Sequence, residues 1–132
     1  MIDRKTIHSE AVRQCGHGTK TVSFELGAEW VLSQIPRINE LAKQAYETAV
    51  KRGKTSEDAS HLDTLFSILS ELKEFRAASE IDPSEHLPQY TASQEELTDV
   101  LICCLTELYR REVNVEEILI AKINYNKTRD GR

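Results

Sequence analysis

The chain has 132 residues, with 17 Lys and Arg against 22 Asp and Glu, and a net charge of −5. A chain of this length holds one hydrophobic core, and a negative balance with no basic run repels a polyanion, so nucleic acid is not an expected partner. There is no run of eighteen apolar residues, and MIDRKTIHSE has no hydrophobic centre, which predicts a soluble, non-secreted cytoplasmic domain with no membrane segment.

Residues 1–26 alternate only weakly and read as an N-terminal arm, with a short strand at KTVSFEL; residues 27–132 read as a single domain. In QCGHGTK, Cys15 and His17 without a second cluster are too few for a structural zinc site. The same stretch lacks the glycine spacing and the Ser or Thr of a phosphate loop, so a turn is expected. The third and second cysteines, Cys104 and Cys103, are adjacent in an apolar run and suit small hydrophobes in a reducing compartment.

From PRINELAKQAYETAVKRGK onward the helical signal is clear. Ile38, Leu41, Ala42, Ala45, Tyr46, Ala49 and Val50 recur at spacings of three and four, Pro36 suits the first turn and Gly53 supplies a stop. A second helix is predicted from about Glu57 to Ala78, opened by Thr55 or Ser56, with Leu62, Leu65, Phe66, Leu69, Leu72 and Phe75 as its apolar stripe. After a loop with two prolines, Ser93 with Glu96 three residues later predicts a capping box for a third helix. Asn114 is expected to cap a fourth helix, VEEILIAKINYNK. The fold class is therefore all-α, a bundle of four to five helices.

Glu71 and Glu74 lie on the second helix away from its apolar stripe and alone read as a solvated face. The third helix is apolar around most of its circumference, with a narrow polar strip of Glu96, Asp99, Thr106 and Arg110, and is expected to be buried nearly all round. An ionised carboxylate there costs several kcal/mol unless it is paired or holds a metal. Two partners for Asp99 stay open: a salt bridge to Arg110 or Lys73, or a divalent cation shared with the other carboxylates. Iron is disfavoured because the third position after each leading Glu holds Glu74 or Asp99 rather than His.

On the fourth helix Val115, Ile118 and Leu119 define the inward face, which continues into Lys122, Asn126 and Arg129 within a sector of about 60°. These cations either snorkel from a helix end that favours positive charge or, beside a carboxylate–metal cluster, hold a polyphosphate.

Glu71-x-x-Glu74, 21 intervening residues (75–95), Glu96-x-x-Asp99 and then AKINYNKTR together resemble the MazG-like all-α nucleoside triphosphate pyrophosphatases, the superfamily of dCTP pyrophosphatases and dimeric dUTPases. The resemblance spans residues 37–129. It implies that Glu71, Glu74, Glu96 and Asp99 bind Mg2+, with Mn2+ as a substitute, and that Lys122, Asn126 and Arg129 hold the phosphates. It also implies hydrolysis of a nucleoside triphosphate to a monophosphate and pyrophosphate, with Glu71 or Glu74 orienting or deprotonating the attacking water. A homodimer or dimer of dimers completing the bundle is implied as well.

Ser70 and Lys73 depart from the family pattern, which often has a glutamate before the first motif and a small residue inside it. Trp30, His61 and Tyr125 are candidates for stacking on a base, with core packing for Trp30 and solvation for His61 as the plainer readings. The alternative to the hydrolase is a catalytically inert helical interaction module that oligomerises through the same apolar faces.

Overall fold

The computed structural model describes residues 27–30 and 37–129. The chain divides into two compact units, Met1–Pro36 and Arg37–Arg132. Residues 27–30, in the first unit, are helical. The expected arm over 1–26, its strand and the Cys15–His17 turn lie outside the described residues.

The second unit contains four helices: α1 (Ile38–Lys51), α2 (His61–Ala77), α3 (Ala92–Arg110) and α4 (Val115–Thr128). Among the described residues the only β pairing is an isolated bridge between Pro83 and Thr91, so the all-α expectation holds. Helix α1 ends as its sequence predicts. Gly53 adopts φ +70, and its N–H and that of Lys54 return to the carbonyls of Val50 (3.0 Å) and Ala49 (2.9 Å), a Schellman cap. Asn114 caps α4 by accepting from the Glu117 N–H at 3.1 Å, also as expected.

Two starts differ from the sequence reading. Helix α2 opens at Ser60 rather than Thr55 or Ser56, because Ser60 and Asp63 form a reciprocal capping box and 57–60 is left as a turn. Helix α3 is capped by Thr91 with Gln94, not by Ser93 with Glu96. The preceding loop fixes that choice: Ala92 donates to the Asp82 carbonyl and Ser93 to the Ser79 carbonyl, which leaves Thr91 as the residue entering the helix. Glu96 is thereby released from capping.

Helix α3 is central, with α1 and α2 each packed along it and not on each other. Both run antiparallel to it. On one side Asn39 reaches Asn114 at 3.0 Å and the Tyr46 and Tyr109 rings lie 5.3 Å apart. On the other, His61 meets Arg111 at 3.2 Å and the Thr64 hydroxyl donates to Glu107. Asn39 Oδ1 also accepts from the Val115 and Glu116 N–H groups at 2.8 and 3.2 Å, so α1 satisfies the free donors that open α4. The buried apolar residues are Ala42, Leu105 and Val115, with Ile38, Leu108 and Tyr109 packed against them.

The expected burial of α3 nearly all round is not found within one chain: Leu97, Leu101 and Ile102 are exposed. So are Leu62, Leu65, Phe66, Leu69 and Leu72 of the α2 stripe, and Ile118 and Leu119 of the predicted inward face of α4. Among the described residues, two helices laid against a third leave their outer faces without a second layer, and the first residue of α4, Val115, is tied to Asn39 of α1.

Candidate metal centre

The antiparallel register of α2 and α3 brings Glu71 level with Glu96 and Asp99. Each of the three offers one carboxylate oxygen, and these oxygens all lie within 4.8 Å of one another. Ligands on opposite sides of a hard divalent cation stand about 4 to 5 Å apart, and such a cation takes oxygen donors, so the set could hold a divalent cation. Glu96 Oε2 is buried and has no hydrogen-bond partner, a state that costs free energy unless something else occupies the oxygen.

The electrostatics follow from the crowding. Burial raises the Glu71 carboxyl above its ordinary value, and the charges of Glu74 and Asp99 add to it. Burial likewise raises Glu96, with Glu74, Asp99 and Glu95 contributing. Asp99 is raised by burial and by Glu95 and Glu74, against the opposing pull of Lys54 and Arg52. Burial leads each upward shift, and the neighbouring carboxylates add to it.

The salt-bridge alternative for Asp99 is not found. Arg110 is committed to Glu107, to which its Nη2 and Nε donate at 2.6 and 3.0 Å, and its Nη1 reaches the Glu57 carbonyl at 3.4 Å. Arg111 and Thr64 donate to the same carboxylate. Burial pushes Glu107 up, yet the hydrogen bonds from Arg110, Thr64 and Arg111 outweigh it and hold the group at about 2. Lys73 forms no ion pair among the described residues.

Glu74 is exposed and stands outside the trio, one turn from Glu71. Lys122, Asn126 and Arg129 are exposed along α4, and no hydrogen bond or ion pair joins them to the carboxylates of the same chain. Lys122 Nζ and the Arg129 guanidinium instead lie 4.7 and 5.9 Å from the ring centre of Tyr125, which is itself exposed. His61 opens α2 and contacts Arg111, and Trp30 belongs to the separate first unit.

Lys54, Arg52 and Glu95 escaped the sequence reading. Glu95 is held by His86, whose Nδ1 lies 3.1 Å from its Oε1. The available signal for Lys54 was its place directly after the Gly53 stop, where a reversed chain sets the next side chain beside the neighbouring helix. Neither a protein-family model nor a curated protein nor a solved structure matches the chain.

Proposed function

We propose that the protein is a Mg2+-dependent nucleotide pyrophosphohydrolase that cleaves a ribo- or deoxyribonucleoside triphosphate to the monophosphate and pyrophosphate. One observation carries the reading. Glu71, Glu96 and Asp99 converge from two helices, no cation among the described residues is paired to any of them, and one of their oxygens is buried without a hydrogen-bond partner.

In this reading Glu71, Glu96 and Asp99 hold the ion. A magnesium ion there supplies Lewis-acid stabilisation of phosphate oxygens and acidification of water. Glu74, beside the trio and free of it, orients the attacking water and takes its proton. The new bond joins the water oxygen to the α-phosphorus while the bond from the α-phosphorus to the bridging oxygen breaks, and pyrophosphate leaves.

Lys122, Asn126 and Arg129 bind the phosphates from a second copy of the chain. The exposed apolar residues of α2, α3 and α4 support that oligomer, since a monomer rarely leaves so much apolar surface in water. A homodimer or dimer of dimers covers these faces and brings the basic side of one α4 to the carboxylates of its neighbour.

The test is pyrophosphate release from a panel of nucleoside triphosphates with Mg2+, beside Asp99→Ala. Turnover of one or a few nucleotides that disappears in the variant supports the hydrolase. A folded oligomer that is silent across the panel supports the inert helical module.

A further inference from the structure

The carboxylates have a cation of their own chain beside them, and it comes from neither α4 nor the first motif. Tyr46 lies against Tyr109, so the antiparallel register carries the end of α1 to the middle of α3, on the C-terminal side of Asp99. There the chain reverses at Gly53. The left-handed turn and the two hydrogen bonds to Val50 and Ala49 fix the backbone of Lys54 rather than leaving it in a loose loop. Because α1 and α2 each pack on α3 and not on each other, Lys54, which follows α1, and Glu71 of α2 are carried to α3 by separate helices.

The position is independently marked by electrostatics. Glu71, Asp99 and Cys103 all feel the Lys54 charge, although no ion pair within 4 Å ties the ammonium to a carboxylate among the described residues. A cation held near a carboxylate cluster but not spent on it is placed to meet an anion that arrives with a metal. Lys54 also sits at a helix C-terminus, where a positive charge is favourable in any protein, so the inference rests on its site and not on its charge alone.

We propose that Lys54 is a phosphate-binding residue of this centre, its ammonium receiving an oxyanion of the polyphosphate beside the carboxylates. The proposal rests on the hydrolase reading and adds to it a contact that the α4 cations do not supply within one chain. It makes the leaving pyrophosphate the group held by Lys54, because a flexible ammonium serves best as a point charge on a multiply charged oxyanion.

The experiment is calorimetric titration of the full chain, first with Mn2+ alone and then, Mn2+-loaded, with inorganic pyrophosphate, for wild type, Lys54→Gln and Lys54→Arg, with a thermal melt of each. Lys54→Gln is expected to bind Mn2+ at least as tightly as wild type, since a neighbouring positive charge is gone, and to bind pyrophosphate about tenfold more weakly. Lys54→Arg retains most of the pyrophosphate affinity. Unchanged pyrophosphate binding in Lys54→Gln, with Mn2+ still bound, overturns the proposal and leaves the hydrolase reading intact. Loss of both ligands with a lowered melting temperature marks a structural lysine and overturns it too. A wild type that takes up no Mn2+ overturns the hydrolase reading and this proposal with it.

Discussion

Asp99 and Arg110 stand on the same strip of α3, and no ion pair joins them: the guanidinium is bonded twice to Glu107, at 2.6 and 3.0 Å. The ordinary partner for a half-buried aspartate is thus used elsewhere, at the far end of the helix. What remains around Asp99 is mainly negative, Glu71 and Glu96 in the trio with Glu74 and Glu95 beside it. The unfolded chain relieves that repulsion and a divalent cation relieves it without unfolding.

Asp99→Asn removes one charge from the crowded set. Metal-free stability is expected to rise, because the ionised form is disfavoured in the folded chain. Urea denaturation in a chelator measures it. A fall in stability contradicts the unpaired state of Asp99.

The pH dependence has a definite sign. Glu71, Glu96 and Asp99 all have folded values raised above 4.5, 4.5 and 3.8, so their contribution is fully present below those unfolded values and is lost as pH rises through the raised ones. Metal-free protein should therefore lose stability over the pH units above about 4.5, and millimolar Mg2+ should cancel that loss. Parallel melting curves with and without Mg2+ would contradict it.

Glu107 has the opposite sign. Its folded value of about 2 lies below the ordinary 4.5, so its contribution is present above 4.5 and is lost as pH falls toward 2. Glu107→Gln is expected to cost about 3 kcal/mol at pH 7 and to remove this part of the acid transition. Thermal melts of the variant across pH 2 to 5 supply the measurement, and an unaltered acid limb counts against the assigned role.

The apolar faces predict assembly. Light scattering of the wild type should give a dimer or tetramer mass, and Leu69→Glu or Leu101→Glu should shift it to smaller species or abolish cooperative unfolding, since each puts a charge into an exposed apolar face that assembly would cover. A stably folded wild-type monomer contradicts this part of the account.

The helices were legible because residues such as Leu41, Ala42 and Ala45 repeat at helical spacing, and Gly53 and Asn114 have their usual terminal uses. The starts of α2 and α3 were not, because each region offers two overlapping cap candidates and the choice is made by bonds of the loop, such as Ser93 to Ser79. Periodicity marks which side chains prefer burial and not which neighbour covers them, so Leu97 and Leu101 read as core yet are exposed in one chain. The carboxylate trio was visible as two spaced pairs. Lys54 was not, since its nearness to Asp99 depends on the antiparallel packing of α1 on α3.

The most direct measurement is titration of Mn2+ into wild type, Glu96→Gln and Asp99→Asn, followed by the loss of the free-ion signal in electron paramagnetic resonance. The account predicts bound Mn2+ at submillimolar to millimolar concentrations in wild type and binding weakened at least about tenfold in both variants, since each loses one charged ligand. Wild type that leaves millimolar Mn2+ free, or variants that bind it equally well, would contradict a metal centre at Glu71, Glu96 and Asp99.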